Sequence, residues 1–141
     1  MDSDLRLEFC SDPRLLVCVR SAVRAWLEAR GCAADVLEDL VLAIDEACSN
    51  AIRHSYRGSS EHVVKLDLVV GPEFLEVRLC DEGVPCPSAG LEPRDLEVPD
   101  AETVRPGGLG VQLMHRAFDE VEFCPGRETG NCVILRKRRE G

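Results

Sequence analysis

The chain has 141 residues, 45% of them hydrophobic and 30% charged, with a formal net charge of −9. That length and balance suit one soluble globular domain, residues 1–141, that buries its own core, and they exclude an intrinsically disordered chain. The acidic balance argues against direct nucleic-acid binding, which needs clustered Lys and Arg, and no apolar run approaches the roughly 20 residues that span a bilayer.

The N-terminus, Met1-Asp2-Ser3-Asp4, is acidic and carries no basic segment leading into an apolar one, so the chain is expected to stay in the cytoplasm. Leu5, Leu7 and Phe9 alternate with Arg6, Glu8 and Cys10, the pattern of a half-buried strand. Ser11-Asp12-Pro13 then supplies a helix start with Pro in the first turn. Leu15, Leu16, Val19, Val23, Trp26 and Leu27 keep helical spacing until Gly31, which predicts an amphipathic helix packed on a sheet.

A second helix is predicted from about Ala34 to His54. Leu37, Leu40, Val41, Ile44, Cys48, Ala51 and Ile52 form its apolar stripe. Asp39, Glu46, Asn50 and Arg53 gather on the opposite side, and Glu46 and Asn50, four apart, stack on one face. Taken alone, such a face is ordinarily a solvated one. Asn is unfavourable within a helix because its amide competes with the backbone, so Asn50 invites a functional question.

Beyond Tyr56-Arg57-Gly58 the period changes to two. Val63 to Val70 and Phe74 to Cys80 read as strands joined by Gly71-Pro72-Glu73, an antiparallel hairpin. The second strand runs into Asp81-Glu82-Gly83, either an ordinary turn or a carboxylate aimed into a cleft while glycine turns the backbone away. Residues 84–106 hold five of the eight prolines and read as a long mobile lid. Arg105-Pro106-Gly107-Gly108-Leu109-Gly110 comes next, glycines ahead of a helix, where free backbone N–H groups and the helix dipole favour phosphate. No Gly-Lys-Ser/Thr succeeds it, so it is not a Walker A loop. Two closing strands are predicted, Val121 to Cys124 and Cys132 to Arg136, and the basic run Arg136-Lys137-Arg138-Arg139 reads as a solvated tail.

The eight cysteines include no C-x-x-C pair, and with no secretory signal they are read as buried free thiols rather than a disulfide framework or a zinc site. Cys86, in the Pro-rich segment, is the one expected to be reactive or exposed.

In combination, a helix with Glu46-x-x-x-Asn50, Asp81-x-Gly83 after a strand, a lid, and Gly107-Gly108-Leu109-Gly110 before a helix resemble the GHKL (Bergerat) ATP-binding superfamily. Within it, Asp45-Glu46-Ala47-Cys48-Ser49-Asn50-Ala51-Ile52-Arg53-His54-Ser55-Tyr56 is most similar to the anti-sigma-factor serine/threonine kinases. The resemblance implies an α+β, two-layer sandwich: a mostly antiparallel sheet of about five strands covered on one face by three helices. It implies ATP and Mg²⁺ as cofactors, with Glu46 as general base and Asn50 as magnesium ligand. It makes Asp81 the acceptor for the adenine amino group, lets Gly83 pass the ring closely, and lets Gly108 and Gly110 bring backbone amides to the phosphates, with Gly107 and Leu109 in the same segment. Arg53 and Arg105 would either reach phosphate oxygens or remain exposed ion pairs, and His54 would make a structural hydrogen bond. Cys86 stands where family members often have an aromatic, and Asn131 and Cys132 where they tend to have Thr.

The implied function is a protein kinase that phosphorylates a STAS-type anti-sigma-factor antagonist and sequesters a sigma factor, working as a homodimer. A non-catalytic ATP-binding partner-switching module is the alternative, and retention of Glu46 favours the enzyme. A histidine-kinase catalytic domain fits less well, because nothing in the chain could serve as a phosphoacceptor-bearing dimerisation helix.

Overall fold

Alternation of apolar and polar residues makes the first strand, β1 (Leu5–Cys10), and Asp12 caps the turn after it. The Asp12 carboxylate accepts from the Arg14 N–H, opening a 3₁₀ turn over Pro13–Leu15 that leads into α1 (Leu16–Ala29). The computed structural model describes residues 3–57, 60–83, 109–125 and 130–139.

The helices α1 and α2 (Ala34–Asn50) run antiparallel, as the ion pairs Arg20–Asp45 and Arg24–Glu38 require. Every residue of the apolar stripe predicted for α2 is buried, from Leu37 to Ile52. After Asn50 the helix widens into one π-helical turn, Ala51–Ser55, a feature the periodicity of the sequence does not reveal.

The hairpin is β2 (Val63–Val70) with β3 (Phe74–Asp81), and the chain closes with α3 (Leu109–Ala117), β4 (Glu120–Pro125) and β5 (Asn131–Arg138). The five strands form one sheet in the order β1-β2-β3-β5-β4, and every pairing is antiparallel. The expected α+β two-layer architecture is therefore what the chain adopts. The core lies between sheet and helices: Val64, Leu66, Leu68, Val77, Leu79 and Leu135 pack under Val23, Leu27, Leu40, Ile44, Ile52 and Met114. Burying such side chains contributes about 1.5–3 kcal/mol each before entropy is subtracted. Among the described residues, no helix is long and apolar enough to cross a membrane.

The cysteine expectation needs correction. Cys80 and Cys132 face each other across β3 and β5 and are disulfide-bonded. Cys10, Cys18 and Cys124 are exposed. Among the described residues only Cys48 is a fully buried free thiol, and burial pushes its pKa up to about 12. The Cys80–Cys132 pairing is hidden in the sequence because it depends on the register of two strands 52 residues apart. Cys86 and the lid, 84–106, lie outside the described residues.

Candidate functional site

Two clusters of polar groups make up the candidate site, one at the end of α2 and one at the end of β3. In the first, Glu46, Asn50 and Arg53 meet. The Arg53 Nη2 donates to Asn50 Oδ1 at 3.1 Å and lies 3.6 Å from Glu46 Oε2. The π-helical turn begins directly after Asn50 and carries Arg53. Glu46 and Asn50 are half-buried and Arg53 is exposed; Asp39, on the same predicted face, is exposed.

The first turn of α3 closes on this cluster. A Cβ built on Gly110 would lie 2.8 Å from Glu46 Oε2, so only glycine fits there with the carboxylate where it is. The Glu46 carboxylate thus sits against a helix N-terminus, where backbone N–H groups and the dipole favour negative charge. Val111, Gln112 and Met114, all buried, fix α3 to the core behind it.

The second cluster is at the end of β3. Asp81 is buried on the helix-facing side, and its Oδ1 accepts from the Gly83 N–H at 2.9 Å and from the Asn131 amide at 3.2 Å. Asn131 is the partner of Asp81 in the β3–β5 register. Gly130, just before it, has φ +87°, and its N–H donates to the Gly83 carbonyl at 2.6 Å. The chain is therefore drawn tightly around the Asp81 end of the strand.

Tyr56 lies beside the second cluster. It directly succeeds the π-helical turn, is buried, and its hydroxyl donates to the Val63 carbonyl at 2.8 Å while accepting from the Glu82 N–H at 2.7 Å. Its ring stacks on His62 with centroids 4.4 Å apart. Burial, first of all, pushes the phenol above its ordinary range, so the hydroxyl stays protonated and keeps donating.

The geometry thus gathers Glu46, Asn50, Arg53 and Gly110 on one side and Asp81 and Gly83 on the other. Arg105, Gly107 and Gly108 lie outside the described residues, as do the side chains of Leu109 and His54. Sequence reasoning misses three contributors: Tyr56, Asn131 and Gly130. Tyr56 is the only tyrosine in the chain and comes immediately after the apolar stripe, which is a usable signal. Asn131 stands out in the sequence only as a residue in a region where Thr is expected, and its contact with Asp81 needs the strand register.

Among the described residues, no group of three or more His, Cys, Asp or Glu side chains gathers to hold a metal. What the first cluster offers is one amide oxygen beside one carboxylate. That fits a hard cation whose remaining ligands are waters and phosphate oxygens, as Mg²⁺ prefers, rather than a metal in an all-protein cage.

Comparison with known proteins bears on the family and the fold. A family model described as the histidine kinase-like ATPase domain matches residues 9–137. The serine-protein kinase RsbW of Listeria monocytogenes serotype 4a is 28% identical over 143 aligned positions, covering 97% of this chain and 88% of that protein. The anti-sigma F factor of Clostridium beijerinckii is 24% identical, covering 97% and 95%. Among solved structures, that of the RsbU and RsbW domains of Rv1364c from Mycobacterium tuberculosis superposes with a TM-score of 0.64 at 20% identity, covering 95% of this chain and 31% of that longer one.

Proposed function

The chain belongs to the histidine kinase-like ATPase domain family, and on that premise we propose that it is an ATP-dependent protein serine/threonine kinase that also acts as an anti-sigma factor. It transfers phosphate to a Ser or Thr of a STAS-type anti-sigma-factor antagonist and otherwise sequesters a sigma factor. It works in the cytoplasm as a homodimer, with residues 1–141 as one domain and residues 84–106 as its ATP lid.

One observation carries the reading most: the Glu46 carboxylate, with Asn50 and Arg53 beside it, is pressed against the first turn of α3 at Gly110. Glu46 takes the proton from the attacking hydroxyl as general base. Asn50 would hold Mg²⁺, which would supply charge neutralisation at the phosphates. Arg53, whose guanidinium spans Asn50 and Glu46, would place a positive charge at the phosphates. Arg105 would add a second positive charge. The amides around Gly107, Gly108, Leu109 and Gly110 receive the phosphate oxygens.

At the other cluster, Asp81 accepts from the adenine amino group, and Gly83 leaves room for the ring. The Asn131 amide and the Gly83 N–H both donate to Asp81 Oδ1 and hold the carboxylate in place. Phosphoryl transfer depends on positioning more than on covalent help, and two anchored ends of one nucleotide supply it.

The test uses the purified chain with Mg-ATP and the antagonist captured by affinity pull-down. Glu46→Gln should abolish transfer while leaving ATP binding largely intact; transfer retained in that variant would remove Glu46 as the base. A wild-type chain that gives nucleotide-dependent partner binding without transfer would establish the non-catalytic module instead.

A further inference from the structure

Cys80 and Cys132 occupy the penultimate rung of the β3–β5 ladder, one residue before Asp81 and one after Asn131. Side chains alternate along a strand, so when Asp81 faces the helices Cys80 points to the opposite face of the sheet, away from the core. Both cysteines are half-buried rather than enclosed, which leaves the bridge open to reagents in solution. Cys124 is third in the same row: it pairs with Cys132 across β4 and β5, is exposed and is free. Burial first, and then the Glu122 carboxylate, hold its thiol above the ordinary range.

We propose that the Cys80–Cys132 bridge is a redox-sensitive clamp on the nucleotide site, closed when oxidised and loosened by a dithiol reductant. The inference rests on the reading of Asp81 as the adenine acceptor. Beyond the bridge the ladder has a single rung left, Asp81 with Asn131, and both strands end there. Strand ends fray at little cost unless tied. The bridge ties this one and holds the Asn131 amide against Asp81 Oδ1. Half-exposed disulfides are the labile ones, and in a thiol-reducing compartment a bridge beside a site is a sensor rather than a staple.

The chemistry is ordinary thiol–disulfide exchange. A thiolate of the dithiol attacks the Cys132 sulfur, the Cys80–Cys132 bond breaks, and Cys80 leaves as a thiolate that takes up a proton. The second thiol of the reductant then displaces Cys132, which is protonated in turn, and the reductant departs as its own disulfide. Two electrons pass to the protein and two free thiols remain.

Loss of the tie lowers the fraction of chains with Asp81 in the binding arrangement, and apparent affinity falls by that fraction. If the untied end is in place a tenth to a fifth of the time, nucleotide binding weakens about five- to tenfold. The experiment is calorimetric titration of the full chain with Mg²⁺ and a non-hydrolysable ATP analogue, at set ratios of reduced to oxidised dithiothreitol. Alkylation and mass spectrometry report which thiols are free at each ratio. The expected result is a drop in affinity that tracks release of Cys80 and Cys132, with Cys80→Ser and Cys132→Ser weak at every ratio and Cys124→Ser responding like wild type. Equal affinity in the bridged and reduced forms would overturn the clamp, as would a bridge that yields to dithiothreitol only after unfolding. If neither form binds the analogue, it is the proposed function that fails. Amide exchange at residues 79–83 and 130–133 then decides the clamp by itself: slower exchange in the bridged form upholds it, and equal exchange rejects it.

Discussion

Replacing Gly110 by Ala tests the contact on which the kinase reading depends. The new methyl carbon would lie 2.8 Å from Glu46 Oε2. Ordinary van der Waals contact begins near 3.4 Å, so the carboxylate has to retreat by roughly 0.6 Å. It can do so, because the obstacle is the end of a flexible side chain rather than backbone. Stability should therefore hold or rise slightly, since Ala in a helix is favoured over Gly by at most about 1 kcal/mol. Catalysis should suffer: a misplacement of about 1 Å costs on the order of a hundredfold, so a shift of this size should slow transfer by about ten- to a hundredfold. Phosphate incorporation into the antagonist, measured at saturating Mg-ATP, reads the rate, and a thermal melt alongside reads the fold. A Gly110→Ala chain that melts normally and transfers phosphate within twofold of the wild-type rate would refute the placement of Glu46 as the base.

Tyr56→Phe removes a hydroxyl that donates to the Val63 carbonyl and accepts from the Glu82 N–H, leaving both part-buried backbone groups without it. A loss of about 1–3 kcal/mol in denaturant unfolding is expected, together with weaker nucleotide binding, and an unchanged melt would deny the hydroxyl its bridging role. Gly130→Ala meets backbone instead of a side chain, since its Cβ would lie 2.9 Å from the Asp81 carbonyl at φ +87°. It should destabilise the chain by more than about 1 kcal/mol, in contrast to Gly110→Ala. Acid should weaken the fold through Asp4 and Asp67. Arg30 and then the Trp26 indole hold the Asp4 carboxyl below its usual range, and Arg6 does the same for Asp67. A group depressed in the folded state stabilises above its unfolded value and loses that contribution as pH falls through the folded one, so melting temperature should drop as pH goes below about 4. Asp4→Asn should flatten that drop.

The fold is readable because each element carries its own period. The α2 stripe from Leu37 to Ile52 is buried without exception, and the hairpin of Val63–Val70 with Phe74–Asp81 forms as its alternation and short turn predict. The two halves of the site are readable for a similar reason: Glu46 and Asn50 are one helical turn apart, and Asp81 and Gly83 are near neighbours in the chain. What stays hidden depends on register between distant segments. Cys80 meets Cys132, and Asp81 meets Asn131, because β5 inserts between β3 and β4, and no local pattern encodes that order. The π-helical turn is hidden for a different reason. An extra residue in one turn scarcely disturbs the apolar stripe, since Ala51 and Ile52 remain buried.

The two ends of the site are fixed by one device used in two ways. Each functional carboxylate is met by a glycine from a distant part of the chain, Glu46 by Gly110 and the Asp81 segment by Gly130. In both places backbone comes closer than any Cβ would permit. At Glu46 the glycine brings a helix N-terminus to a side chain that can still move, so the contact sets position and the chain tolerates its loss. At Asp81 the glycine approaches the rigid carbonyl of a strand end, with its N–H on the Gly83 carbonyl, so there the contact sets the fold itself. Under the proposed function, the nucleotide-binding end would be the rigid one and the catalytic end the adjustable one, and buried Tyr56 ties the Glu82 backbone beside Asp81 to Val63 at the start of β2.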